Sequence, residues 1–525
     1  MENLYVFAIG GSGERVFKSL MMVLTTGMSV GAKRIIPVFV DNDVDADAFR
    51  QCCKLINYYN GKPGSNGGKM GANTLYSEEN IDSSKWGSFF HVQVNDPVVL
   101  NKSGNAIGNL NKVIGYVKGN SKHHKAIEEE MNLLFTNDDL NMPLNVGFVG
   151  NPNIGSVVLN ALSLQTSEFN SIIKEVSSKD GVIVVGSLFG GTGAAGLPLV
   201  INKFRNLDAT RKPILGGIAV LPYFLTDGDP KNNVGIDPKI WDVKPETFIT
   251  KTRAALMYYD EYMKLGYDFL YYVGDSSNMD VYEHNIGASA QKNPYHIVEL
   301  MSALSIIDFS YGANQSKIVY KEPIFGFDQQ NNTSNVSGIC VPDLARSLVK
   351  FQIMKKIFTS TKKDDGMLKW AIDTKKPFVR DIRFTEVMRK SVVGDDSSYA
   401  YAWGISELFK EFDKWMNDLK SDKAKHPFLL FNEGADVDSD NITKHFYSDN
   451  QSGIAKLVEE HYGFLNLSTR TVAKKANILA EMQSAYSRRY RNLNSNDVTE
   501  NKALPMLLNI ISDALDNVLN ENVAL

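Results

Sequence analysis

The stretch from Gly181 to Gly196, GVIVVGSLFGGTGAAG, constrains this chain more than any other. Four consecutive β-branched residues, Val182 to Val185, predict a strand buried on both faces. The run feeds directly into Gly190, Gly191, Thr192 and Gly193, and the small residues Ala194 and Ala195 then open a helix. Glycines let backbone N–H groups converge on an anion without obstruction by Cβ, and the helix N-terminus behind them adds partial positive charge. A phosphate fits such a turn, although strand–glycine–helix turns also occur with no phosphate bound.

The chain of 525 residues, 43% of them hydrophobic, is long enough for two to four domains with real cores. Its 60 acidic and 56 basic residues leave a formal charge of −4, so no whole-chain field recruits nucleic acid or an anionic membrane. Cys52, Cys53 and Cys340 cannot build a disulfide framework. The N-terminal MENLYVFAIGG lacks the pattern of a signal peptide, and no apolar run is long enough to span a bilayer. The expectation is a cytoplasmic protein.

Further strands and loops follow the same plan. Leu4 to Ile9 predicts a strand, followed by Gly10, Gly11, Ser12 and Gly13 and a helical pattern from Val16 to Leu24. The dinucleotide fingerprint would need its third glycine at Val16, so the Rossmann signal is incomplete. Arg34 to Val40 predicts a strand ending in Asp41, Asn42 and Asp43, polar residues at the end where open parallel sheets hold their ligands. Residues 58–125 read as polar excursions; Gly64 to Met70 lacks the strand and hydroxyl residue of a Walker loop, and His123 and His124 read as a solvated helix face.

Asn145 to Val149 predicts a brief strand before Gly150, Asn151, Pro152, Asn153, Ile154 and Gly155, a third glycine-bearing loop. Strands are also expected at Ile214 to Leu221, ending at Pro222 and Tyr223, and at Phe269 to Val273, ending at Gly274 and Asp275. Strands alternating with helices imply a parallel sheet covered on both faces. From Asn293 the pattern becomes one long helix, with Asn293 and Pro294 as its start and Ile297, Leu300, Met301, Leu304 and Ile307 on one face. Beyond a turn-rich segment, a helix is expected from Pro342 to Phe358. Strands are possible at 366–383 and 426–432, with amphipathic helices at Ile454 to Phe464, Thr471 to Tyr490 and Ala503 to Leu519.

Three glycine-bearing loops in this order resemble the nucleotide-binding loops of the tubulin superfamily, which includes tubulin and FtsZ. The family signature is GGGTG followed by a small residue and Gly; here Phe189 to Ala195 reads FGGTGAA, with the first and last glycines replaced. Gly10 to Gly13 falls at the family's first phosphate loop, Asp41 to Asp43 at its second, and GNPNIG at its third. By the same resemblance Pro222 begins the ribose-side loop, Arg253 occupies the place of a nucleotide-contacting arginine, Asp275 that of a guanine-reading residue, and Tyr295 lies within about one position of a base-stacking tyrosine. Tyr295 also reads as an ordinary half-buried aromatic.

GICVPDL, Gly338 to Leu344, looks like the family loop that enters the next subunit's nucleotide site. Asp343 matches its aspartate, Val341 replaces its asparagine, and Arg346 stands where a second acid is usual. The resemblance therefore implies weak or absent hydrolysis, with Asp343 and Arg346 as catalytic candidates acting in trans. Pro342 and Asp343 have a plainer reading as the first turn of a helix.

The implied organisation is a Rossmann-like parallel-sheet GTPase domain at 1–292, a central helix at 293–317 and a divergent, mainly helical α+β domain at 318–525. The implied function is a GTP-binding protein, with Mg²⁺ held mainly by the phosphates, that assembles head-to-tail with itself and has no direct nucleic-acid or membrane partner. A non-polymerising nucleotide-binding scaffold whose C-terminal helices dock a partner protein is the alternative, and a NAD enzyme is a third reading.

Overall fold

The computed structural model describes residues 1–43, 46–60, 89–100, 108–115, 122–144, 147–148, 150–161, 163–227, 247–262, 266–274, 280–283 and 292–312, parts of 324–334 and 344–355, and residues 400–420, 478–490 and 508–517. The chain divides into two compact units: one formed by Met1–Leu20, Gly31–Cys53 and Val94–Val336, the other by Met21–Val30, Lys54–Gln93 and Ser337–Leu525.

In chain order the elements start with β1 (Asn3–Ile9), α1 (Gly10–Thr25), β2 (Arg34–Val40), α2 (Asp47–Tyr59), β3 (Gln93–Val94) and β4 (Val98–Leu100). Next come α3 (Leu110–Ile114), α4 (Lys122–Leu134), α5 (Asn137–Asn141), α6 (Pro152–Ala161), α7 (Ser167–Glu175), β5 (Gly181–Ser187), α8 (Gly191–Arg205) and β6 (Ile214–Val220). The series continues with β7 (Phe224–Asp227), α9 (Phe248–Tyr262), β8 (Phe269–Val273), β9 (Asp280–Glu283), α10 (Ile297–Gly312) and β10 (Ile324–Phe325), and ends in a short antiparallel pair, Phe327–Asp328 with Thr333–Ser334.

β1 pairs in parallel with β2 on one side and β5 on the other; β6, β8 and β10 continue beyond β5, while β4 pairs in parallel with β2. The chain thus builds outward from β1 in one direction, then returns and builds outward in the other. The topological switch point lies between β1 and β5, where open α/β sheets place their ligands at the strands' carboxyl ends.

Both faces are covered, as the unbroken apolar runs predict; every residue of β5 is buried. On one face Phe7 packs edge-to-face with Phe169 of α7 and Phe204 of α8. Ala8, pointing the opposite way, is registered with Phe39, whose ring meets Phe17 of α1 and Phe49 of α2. The sheet is therefore a true middle layer of a parallel α/β domain.

Several expectations shift. The glycines after β1 form the first turn of α1 rather than a loop, because Gly13 lies so close to the sheet that a Cβ there would stand 2.7 Å from the Val185 carbonyl oxygen. Residues 147 and 148 are not a strand; Gly147 has φ +87°, which breaks an extended run. β4 takes an unforeseen place in the sheet, its three residues being too few to give a periodic signal. α10 begins at Ile297 and not at Asn293: His296 Nδ1 accepts the Val298 N–H at 3.1 Å, and Glu299 accepts the His296 N–H at 3.2 Å, a reciprocal cap. Its expected single apolar face is instead burial on nearly all sides. α4, carrying His123 and His124, buries no residue and is the solvated helix expected.

The second unit is described chiefly by helices: α11 (Ala400–Lys420), α12 (Ile478–Tyr490) and the helical residues 508–517. Phe351, Phe409, Phe412 and Trp415 form its aromatic cluster. Lys350 pairs with Asp516 at 2.8 Å, and Arg489 reaches both carboxylate oxygens of Asp513 at 2.5 and 2.9 Å. No described helix is long and apolar enough to cross a membrane.

Candidate functional site

The carboxyl end of β1 leads straight into Gly10, and that of β5 into Leu188, Phe189 and Gly190. These two segments meet at the switch point. Gly10 has φ +67°, a conformation that disfavours a side chain, and a Cβ on it would stand 3.0 Å from Thr192 Cβ and 3.5 Å from the Gly193 nitrogen. The N-termini of two long helices, α1 and α8, are thereby pressed together.

The N-terminus of α8 is open. Its cap, Gly190, is extended at φ −93° and ψ 161° and supplies no side-chain hydrogen bond. The first N–H groups of a helix have no partner within it, so Gly191, Thr192 and Gly193 present donors to whatever stands before them. Behind them, Tyr259 and Tyr267 donate their hydroxyls to the carbonyls of Ala194 and Leu197, fixing α8 against its neighbours. Phe189, where the family resemblance expected glycine, packs its ring on Tyr223, Phe224 and Phe248.

The third loop buttresses this end. A Cβ on Gly191 would lie 2.9 Å from the Asn151 nitrogen and 3.2 Å from that of Gly150, itself at φ +69°. Asn151 Oδ1 accepts from the N–H groups of Asn153 and Ile154, and its Nδ2 donates to Asp139. With Pro152 lacking an N–H, the start of α6 is closed by its own cap.

Acids border the cradle. A Cβ on Gly147 would stand 3.8 Å from Asp41 Oδ1 and 3.9 Å from Thr192 Oγ1, so the second loop reaches the same place. Burial, then the charge of Asp43, pushes the Asp41 carboxyl up to about 7. Glu14, on the second turn of α1, is held well above the ordinary carboxylate range by burial and by Asp41 and Asp43. Among the described residues Glu14 Oε2 and both amide atoms of the fully buried Asn42 have no hydrogen-bond partner. A buried acidic wall of this kind favours a bound cation or a proton. Among the described residues no group of three His, Cys, Asp or Glu side chains could hold a metal ion.

Past the cradle, Pro222 is buried and Tyr223 donates its hydroxyl to Glu299 Oε1 at 3.0 Å. Tyr295 is buried just before α10, and Lys18 Nζ lies 3.9 Å from its ring centroid while donating to Gln51. Arg15 pairs with Glu299. Burial opposes the guanidinium's charge most strongly, but Glu299, Tyr223 and Tyr282 together outweigh it and raise the group's pKa.

The structure therefore brings together Gly10, Asp41, Gly150, Asn151, Gly191, Thr192 and Gly193, with Gly11 and Ser12 partly exposed on the first turn of α1 and Asn42 and Asp43 beside Asp41. Ala194 follows within α8. Arg253 stands exposed on α9. Asp275, Asp343 and Arg346 lie outside the described residues, as do Gly64 to Met70 and the segments proposed for strands at 366–383 and 426–432. Sequence reading passed over Glu14, Arg15 and Lys18, although three buried charges in the first two turns after a glycine run are an unusual pattern. It also passed over Gly147 and Glu299, which carry no local signal.

What the fold and site define is a parallel-sheet α/β domain with a glycine-lined, acid-flanked cradle at its switch point. The chain matches no protein-family model and no curated protein.

Proposed function

We propose that this chain is a GTP-binding protein of tubulin-like organisation that assembles head-to-tail with itself in a nucleotide-dependent way, with weak or absent GTP hydrolysis. The observation that carries the reading is the uncapped N-terminus of α8 packed on Gly10 at the switch point, with two helix dipoles and a set of orphan N–H donors directed at one place. In this reading Gly10 to Gly13 and Gly190 to Ala194 hold the phosphates, with Gly150, Asn151 and Pro152 supporting them. Pro222, Arg253, Asp275 and Tyr295 serve the ribose and base.

A triphosphate beside Asp41, Asp43 and Glu14 needs its charge offset, and Mg²⁺ held mainly by the phosphates meets that need. The ion supplies charge neutralisation for phosphoryl transfer. The chain's own groups position the phosphates, and Asp343 with Arg346 from a neighbouring copy would act on the γ-phosphate side.

Titration calorimetry with GTP, followed by sedimentation and electron microscopy with GTP and a slowly hydrolysed analogue, tests the proposal. Binding together with nucleotide-dependent filaments is expected. A GTP-bound monomer that never sediments would favour the scaffold reading, in which the C-terminal helices dock a partner protein, and purified chain carrying NAD and no guanine nucleotide would overturn both. Asp343→Ala is expected to abolish whatever turnover exists; turnover that persists rules out the inter-subunit assignment.

A further inference from the structure

One buried charge cluster stands about a helical turn behind the cradle and includes none of the residues read above as holding phosphates. Arg15 lies five residues after Gly10 on α1, and Glu299 four residues after Tyr295 on α10. Glu299 Oε1 accepts from Arg15 Nε at 2.5 Å and from the Tyr223 hydroxyl at 3.0 Å, and Oε2 accepts the His296 N–H at 3.2 Å. Arg15 also donates to the Pro294 carbonyl at 3.0 Å, and its guanidinium stands 5.9, 5.8 and 5.6 Å from the rings of Tyr223, Phe224 and Tyr282. Four segments of the first unit are thus tied to one ion pair.

Stability alone is a weak reason for such a pair, since well-packed apolar replacements of both partners are often neutral, and registry is its best-attested use. What this pair registers is specific. One partner is rigidly connected through α1 to Gly10, and the other through the reciprocal cap at His296 to Tyr295.

We infer that the Arg15–Glu299 pair is a positioning device that sets the spacing between the phosphate cradle and the head of α10, so that a ligand bridging both depends on it while one filling the cradle alone does not. The inference rests on the nucleotide reading above, which places the base at Tyr295.

The test uses the full chain: wild type, Arg15→Lys, Arg15→Met/Glu299→Leu and Tyr223→Phe, with folding checked by near-ultraviolet circular dichroism. Binding of a fluorescent GTP analogue and its displacement by inorganic tripolyphosphate are measured at one temperature well below unfolding. GTP affinity is expected to fall about tenfold or more in the double variant, and about two- to threefold in Tyr223→Phe, which loses one hydrogen bond to Glu299. Tripolyphosphate affinity is expected to stay at the wild-type value, and Arg15→Lys to recover part of the loss. A merely structural role would weaken both ligands equally or neither. Unchanged GTP affinity in the folded double variant, or an equal loss for tripolyphosphate, overturns the inference and leaves the nucleotide reading standing. If the double variant does not fold, Tyr223→Phe decides by the same criteria. A wild-type chain that binds tripolyphosphate but not GTP, or neither, overturns both.

Discussion

Two helix N-termini lie against each other at the end of β5, and they are built in opposite ways. α6 starts from Asn151, whose side chain accepts the N–H groups of Asn153 and Ile154, and its first helical residue is a proline with no N–H to offer. α8 starts from Gly190, which offers nothing to its first turn. The first terminus is capped by its own residues; the second has no side-chain cap. Yet Gly191 is pressed against the Asn151 and Gly150 nitrogens, so the closed terminus is the wall on which the open one rests. Glycine-rich loops that look equivalent in sequence therefore divide into one whose helix start is uncapped and one whose capped helix start packs against it.

Substitutions at the open terminus should have the largest effect. Gly191→Val with Thr192→Ala forces a side chain against the Asn151 nitrogen, 2.9 Å from where its Cβ would stand, and removes the hydroxyl, and GTP affinity by calorimetry is expected to fall by more than about 100-fold, over ~2.7 kcal/mol. Unchanged affinity would place the site elsewhere.

The acid wall beside that terminus gives a pH dependence of definite sign. Because the Asp41 carboxyl is raised from 3.8 to about 7 in the folded chain, the folded state holds a proton there that the unfolded state releases between those values. This group's stabilisation is therefore complete below about 4 and is lost as pH rises toward 7, by up to ~1.4 kcal/mol per pH unit. Urea denaturation of nucleotide-free, chelator-treated protein at pH 5 and pH 7.5 is expected to show a shallower pH slope in Asp41→Asn than in wild type. Identical slopes would show that Asp41 ionises in the folded protein as it does in the unfolded chain.

Gly10→Ala combines a positive φ with a 3.0 Å approach to Thr192, and about a tenfold loss of GTP affinity is expected, ~1.4 kcal/mol. The closed terminus should respond differently. Asn151→Ala removes a cap, so a stability loss of about 1 kcal/mol in denaturant is expected, with GTP affinity changed by less than about threefold. A large affinity loss with no stability loss would reverse the contrast and make Asn151 a ligand-binding residue.

The strands were largely legible because their signal is local. β2 matches its predicted bounds, and β1, β5, β6 and β8 agree to within a residue or two at each end. The failures share a cause. β4 is too short for any period, α10 is buried on sides that an amphipathic pattern does not anticipate, and Gly10 to Gly13 became a helical turn because tertiary contact with Val185 demanded it. The candidate cradle was legible as a set of glycines but not as a ranking among them, since the choice between a capped and an uncapped terminus depends on where Asn151 places its side chain.

By itself, then, the sequence determined that this chain contains a parallel α/β domain with glycine turns at the strand ends, because hydrophobic period and backbone freedom are properties of neighbouring residues. Only the tertiary structure decided which turn stays open and which charges meet. Arg15 and Glu299 are 284 positions apart, and nothing in either local pattern announces the other. They pair because the packing of α1 and α10 removes both from water, where each charge needs a partner.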